Sequence, residues 1–343
     1  MSEDDGLGSL CLELPKVELH VHLEGSIRPS TLLTLARRRR VALPADDEAG
    51  LAEWFRFRDF DHFVEVYLTC SRCLRDPEDF QLVVSDFLAE QARQNVYYSE
   101  VHFTVGTHVA NGANPGELAD AMWQAVLEGE RYWGVTLRLV PDIVRNLGPR
   151  AAELPLEWAI ESRRFGVVAL GLSGSEAFPA APFAEHFRVA RQEGLRTVAH
   201  AGEQAGPDSI LETLDACAPE RIGHGIAASR DRALVERLVS EALPLEVCPS
   251  SNVALGIVER LEEHPFDELY RAGVAVSVNS DDPAFFDTTL TDEYQRLADT
   301  FGYEPAELAA LARAAADHAF LAPEERDRLI ERMDRRLAHL GLA

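Results

Sequence analysis

Residues 15–22 read Pro15-Lys16-Val17-Glu18-Leu19-His20-Val21-His22, a short run of alternating apolar and polar side chains ending in two histidines. Period-two alternation is the mark of a β-strand, where positions two apart share a face, so His20 and His22 point the same way. Three further strand-like stretches lead into residues of the same chemical kind: His200-Ala201-Gly202-Glu203, Arg221-Ile222-Gly223-His224-Gly225 and Val278-Asn279-Ser280-Asp281-Asp282-Pro283. Parallel strands closed into a barrel would aim all of these at one mouth.

The rest of the chain supports such a barrel. Strand-like runs fall at Val17 to His22, Tyr98 to Val105, Val135 to Pro141, Val167 to Leu172, Arg196 to His200, Arg221 to His224, Pro244 to Cys248 and Val274 to Asn279. Helical segments alternate with them: Glu117 to Trp133, Glu153 to Phe165, Phe183 to Glu193, Ser209 to Cys217 and Asp231 to Glu241. Repeated βα units predict an α/β fold, a (β/α)8 TIM barrel, as one domain with the barrel over about 14–335. The gap between His22 and Tyr98 is overlong and reads as a helical insertion of three stretches, Pro29 to Arg40, Phe60 to Leu74 and Pro77 to Gln94. Its segment from Trp54 to Phe63 is the most aromatic in the chain, suited either to packing on the barrel or to a substrate wall. Glu304 to Leu340 reads as a C-terminal helical extension packed outside the barrel.

Composition excludes several partners. The 343 residues carry a formal net charge of −25, which repels nucleic acid and anionic membrane surfaces. No window approaches the ~20 apolar residues of a membrane span, and the start Met1-Ser2-Glu3-Asp4-Asp5 is acidic where a signal peptide is basic, so the expected location is cytoplasmic. Lys16 is the only lysine. Five cysteines show no framework spacing, and Cys70 and Cys73, although a C-x-x-C pair, fall in a helical stretch and read as buried structural thiols.

Three imidazoles and a carboxylate suit zinc or a similar divalent ion, with a position left open for water. Such an ion lowers the pKa of water it binds towards ~7. Glu203, three residues past His200, can approach that open position as a general acid or base. His224, between two glycines, can come close to the water. Asp281 and Asp282 are adjacent like charges, which suits one on the metal and the other on a substrate.

The motifs Pro-Lys-Val-Glu-Leu-His-Val-His-Leu-Glu-Gly, His-Ala-Gly-Glu, Arg-Ile-Gly-His-Gly and Ser-Val-Asn-Ser-Asp-Asp-Pro resemble, in order and spacing, the adenosine/adenine deaminase family of the amidohydrolase superfamily, from about Leu14 to Arg335. That resemblance implies one zinc ion per chain, a small purine substrate, and replacement of its 6-amino group by oxygen with release of ammonia. Carried over position by position, it implies that His20, His22, His200 and Asp281 hold the metal. It further implies that Glu203 gives a proton to purine N1, that His224 orients and helps deprotonate the attacking water, that Asp282 bonds N7, and that Gly174 contacts N3 through its N–H. The H-x-E and P-C-x-x-C signature of cytidine-type deaminases is absent.

Two departures bear on the substrate. Glu24 stands where adenosine deaminases have an aspartate near the ribose 5′ end, and adenine deaminases share this glutamate. Gly223 stands where free-base adenine deaminases have an aspartate, as in nucleoside deaminases. With His102-Phe103-Thr104-Val105-Gly106-Thr107-His108 in place of the usual R-Y-S-P form, these changes suit a nucleoside altered at its 5′ end. The family includes deaminases of 6-amino-6-deoxyfutalosine, a menaquinone-biosynthesis intermediate with an aryl chain at the 5′ carbon. That is the expected substrate, ahead of adenosine and then adenine, with Arg56 or Arg58 able to meet the benzoate or else simply solvent-exposed. A silent binding relative would show broken metal or acid positions, and none is broken; an ester or lactam hydrolase would not need the paired Asp281 and Asp282.

Overall fold

Runs of valine, leucine and isoleucine cut by glycine and proline give the eight strands of the computed structural model, which describes residues 3–342. Met1 and Ser2, the start of the acidic terminus, lie outside the described residues, as does Ala343. The strands are β1 Lys16–His22, β2 Val96–Phe103, β3 Thr136–Val144, β4 Ala169–Ser173, β5 Arg196–Ala201, β6 Arg221–His224, β7 Leu245–Val247 and β8 Val276–Val278. They pair in parallel in sequence order. This is the (β/α)8 barrel that the alternating pattern implied.

The seam between β8 and β1 is closed by unusual means. Val21 bridges to Asp281, with His22 N–H donating to Asp281 O at 2.7 Å and Asp281 N–H to His20 O at 3.2 Å. Below that bridge, the Asn279 side-chain oxygen accepts from the N–H groups of Leu19 and His20 at 2.8 and 3.1 Å. A side chain thus stands in for the missing ladder, and the same seam locks His20, His22 and Asp281 to one another.

Outside the barrel the strands meet helices through apolar faces. Val17 and Leu19 pack with Tyr98, Ala315, Ala319 and Met333, each fully buried aliphatic side chain contributing roughly 1.5–3 kcal/mol. The interior is more polar than the usual barrel core: Glu100, His102, Arg221 and Glu246 are all buried. Lys16, the lone lysine, is buried under the end of helix Glu3–Glu13, donating to the carbonyls of Cys11 and Leu14 at 2.6 and 2.9 Å.

Several expected bounds shift. The insertion holds four helices, Pro29–Arg39, Glu48–Trp54, Phe60–Ser71 and Pro77–Arg93; the unexpected one starts at Asp47, whose side chain accepts from Gly50 N–H. β2 stops at Phe103, and Val105–Ala110 is a short helix, because the buried carboxylate of Glu24 gathers the donors of Thr104 and His108 and turns the chain. The C-terminal extension is two helices, Pro305–Ala315 and Pro323–His339. Between them Phe320 does not stay outside: it packs with Val140, Ala169 and Val198 from three strands. The five cysteines are buried and unpaired, and burial pushes the Cys73 thiol up to about 11, as expected of structural thiols. Among the described residues no helix is long and apolar enough to cross a membrane.

Candidate active site

Four donors converge beyond the C-terminal ends of β1, β5 and β8. Asp281 Oδ1 lies 3.5 Å from His20 Nε2 and 3.3 Å from His22 Nε2, and His22 Nε2 lies 3.3 Å from His200 Nε2. Bonds of ~2.0–2.1 Å to a tetrahedral ion require ligand separations of roughly 3.3 Å, so these residues fit a zinc-sized cation. His20 Nε2 is buried without a hydrogen-bond partner, as a ligand atom would be. Electrostatics ask for the same charge. Burial alone would depress His20 and His22, but the neighbouring carboxylate of Asp281, joined for His20 by a hydrogen bond to Glu246, carries them up to about 9 and about 10, so the cluster attracts positive charge.

The far sides of His20 and His200 are held by hydrogen bonds as a ligand needs, whereas His22 Nδ1 has only a longer contact to a carboxylate. Glu246 Oε2 accepts from His20 Nδ1 at 2.7 Å, Leu172 O accepts from His200 Nδ1 at 3.0 Å, and Asp142 Oδ2 lies 3.8 Å from His22 Nδ1. Asp142 is itself fixed by His102 Nδ1 at 2.9 Å, and Ser251 Oγ donates to Asp281 Oδ2 at 2.6 Å.

His224 stands nearer the other donors than its expected role requires: with His20, His200 and Asp281 it forms one group of atoms all within 4.8 Å of one another, a group that does not include His22. A chain of hydrogen bonds decides what it can do. Phe266 N–H donates to His264 Nδ1 at 3.1 Å, so His264 carries its hydrogen on Nε2 and gives it to Asn252 Oδ1 at 3.1 Å. That turns the Asn252 amide so that Nδ2 donates to His224 Nδ1 at 3.3 Å. Neutral His224 therefore carries its hydrogen on Nε2, which cannot then bind a metal and instead faces Glu203 and Asp281 at 3.9 Å. Burial pushes His224 down to about 4, which keeps it neutral. His224 (φ 60°) and Asp281 (φ 63°) are both left-handed, a cost of order 1–3 kcal/mol each that surrounding structure must hold.

Glu203 sits on a loop clamped by another carboxylate. Glu176 accepts from the N–H groups of Gly202, Glu203 and Gln204 at 2.7, 2.8 and 2.8 Å, and from Ser209. Burial first, and then the charge of Asp281, push Glu203 up to about 8, so it holds a proton at neutral pH. Burial first, and then the charge of Asp281, push Asp282 well above the usual carboxyl range, and its Oδ1 is pressed against Gly25.

A cavity of about 270 Å³ opens onto this cluster. His22, His200, Glu203, His224, Gly174, Asp281 and Asp282 all line it, and His20 lies directly beneath. Gly174 has φ 94° and leaves no room for a side chain: a β-carbon would stand 2.4 Å from Asn146 Oδ1. The opposite wall is apolar, with Phe60, Phe63, Tyr67, Leu147 and Leu255. The aromatic segment serves both readings, since Phe57 packs on Phe285 and Phe286 while Phe60 and Phe63 face the cavity.

One expectation changes, and one open alternative is decided for Arg56. Glu24 does not reach the cavity wall: Oε1 accepts from Thr104 N–H, Thr104 Oγ1 and His108 Nε2 at 2.8–2.9 Å. Burial would raise this carboxyl, but His108 and Thr104 hold it at about 2. Neither Arg56 nor Arg58 lines the cavity, and Arg56 is 79% exposed beside Glu53. Gly223 does not line the cavity; a β-carbon there would lie 2.8 Å from His20 Cε1, so this position bears on the His20 imidazole.

Residues 15–336 match the family model described as adenosine deaminase. The chain belongs to the adenosine deaminase family. Within that family it is 39% identical over 324 residues to the aminodeoxyfutalosine deaminase of Streptomyces coelicolor, covering 94% of this chain and 84% of that one. It is 36% identical over 315 residues to the adenine deaminase of the same organism, covering 92% of each. Among solved structures, the adenine deaminase of Arthrobacter aurescens superposes with a TM-score of 0.90 at 30% identity, covering 95% of this chain and 99% of that one. Family members thus share the barrel and act as hydrolytic deaminases of 6-aminopurines.

Sequence reasoning passed over Glu176, Glu246, Asp142 and Asn252. Each is an ordinary polar residue in its own segment, and only Glu176 carried a signal, standing two residues past Gly174.

Proposed function

We propose that this chain deaminates a 6-aminopurine nucleoside extended at its 5′ end by an apolar or aryl group, of the 6-amino-6-deoxyfutalosine kind, as one zinc-dependent catalytic domain over about 14–335. His20, His22, His200 and Asp281 would hold the ion. A divalent cation there supplies activation of water, lowering its pKa towards ~7. Glu203, protonated by burial, gives its proton to N1 as water oxygen bonds to C6. Asp282, whose carboxyl burial and Asp281 shift towards its acid form, bonds N7, and Gly174 N–H meets N3. His224 Nε2–H holds the attacking oxygen in line, a donor role in place of the base role the resemblance implied. The water gives one proton to the Glu203 carboxylate left by that transfer, its other proton passes to N6 as the C6–N6 bond breaks, and ammonia leaves the 6-oxopurine with its proton on N1 and Glu203 protonated as at the start.

The observation that carries the substrate reading is the rim. Val64 (36% exposed), Leu68 (42%) and Leu147 (60%) are large apolar side chains left in water around the cavity, beside Phe60 and Phe63. An apolar extension of the nucleoside would cover them. No lysine or arginine lines the cavity, which disfavours a 5′-phosphate; a terminal carboxylate would sit past the rim in solvent.

Free adenine is the second reading, favoured by the adenine deaminases among the relatives. Comparing kcat/KM for aminodeoxyfutalosine, adenosine, methylthioadenosine and adenine separates them. The extended nucleosides should lead, and a preference for adenine of about tenfold or more would reject this reading.

A further inference from the structure

Glu246 does not line the cavity described above, yet its carboxylate sits between His20 and the buried guanidinium of Arg221. Oε2 accepts from His20 Nδ1 at 2.7 Å and Oε1 from Arg221 Nε at 2.5 Å. Arg221 is 1% exposed and has no freedom left: it also donates to Glu100 and to His318 O at 2.6 Å, and its guanidinium lies 3.5 Å from the centre of the Phe320 ring. Glu100 in turn accepts from Tyr98 Oη at 2.7 Å and Phe320 N–H at 2.5 Å. Three strands and the C-terminal extension therefore fix one carboxylate oxygen against one imidazole. Gly223 closes the other side of that ring, where a β-carbon would come within 2.8 Å.

We propose that Glu246, braced by Arg221, is a positioning residue that holds His20 in its Nδ1–H form with Nε2 aimed at Asp281, so that cation affinity is set from beneath the site. A carboxylate behind a metal-binding imidazole fixes the tautomer and raises the basicity of the ligating nitrogen. The inference rests on the metal site proposed above.

The test compares Glu246→Gln with Glu100→Gln. Both remove one buried carboxylate charge from Arg221, but only the first touches His20. Zinc affinity, measured by chelator competition, should weaken about 10–100-fold in Glu246→Gln and by less than about threefold in Glu100→Gln. Glu246→Asp, which keeps the charge but is a methylene short of His20, should weaken binding as well and serves if the glutamine variant does not fold. Wild-type-like affinity in both Glu246 variants, or equal weakening in Glu100→Gln, overturns the proposal. A wild-type protein that binds no stoichiometric zinc overturns the metal-site reading itself, and is distinguishable because no variant is then needed to see it.

Discussion

A β-carbon at residue 25 would stand 1.8 Å from Asp282 Oδ1, so the bare backbone of Gly25 is the surface on which Asp282 rests. Gly25→Ala should push that carboxyl out of line with N7. A displacement of about 1 Å in a positioning group costs on the order of 100-fold in rate. The expected result is a fall of that size in kcat/KM with zinc content unchanged, measured by steady-state kinetics and elemental analysis. Loss of zinc would mean that residue 25 supports the ligands instead.

Glu203→Gln should keep its shape and the metal while lowering kcat by roughly 10²–10⁴-fold, because the proton source is gone. The pH dependence follows with a definite sign. Only protonated Glu203 can give a proton, and burial holds it so up to about 8; kcat in the wild type should therefore fall as pH rises through that value. The variant cannot titrate and should lose this limb.

Asn252→Asp replaces the amide donor facing His224 Nδ1 with an acceptor. His224 would then carry its hydrogen on Nδ1 and turn a bare Nε2 towards Glu203 and Asp281. We expect kcat to fall about 10–100-fold with little change in KM, and ¹⁵N chemical shifts to report the switched tautomer. Unchanged shifts would sink the assignment.

Leu147→Ser removes an apolar side chain that is 60% exposed at the rim. Its effect should depend on substrate: about tenfold lower kcat/KM for a 5′-aryl nucleoside and little change for adenosine. Equal effects on both would place Leu147 outside the substrate path.

Removing the ion with a chelator should abolish deamination and lower the melting temperature, since a ligand bound only by the folded state stabilises it by mass action. Adding zinc should restore both. A melting curve indifferent to chelation would argue against a bound cation in the folded protein.

The strand pattern was legible because short runs carrying regularly placed valine, leucine and isoleucine recur between helical segments, and His20, His22, His200, Glu203 and Asp281 were singled out because they stand at or just past the ends of such runs. Glu24 was misplaced because the sequence shows which residue stands after the second histidine but not that Thr104 and His108 supply three donors to it. Asp47 and its helix were missed because a seven-residue helix has too few turns to show a period.

The sequence by itself determined the barrel and the family, and it singled out the candidate donors, since periodicity and motif order are properties of the chain alone. Only the tertiary structure decided that Glu246, Asp142 and Asn252 stand behind the imidazoles, that His224 carries its hydrogen on Nε2, and that Gly223 acts on His20. The physical reason is that tautomer and aim are set by partners dozens to hundreds of residues away, brought within 3.3 Å only when the sheet closes on itself.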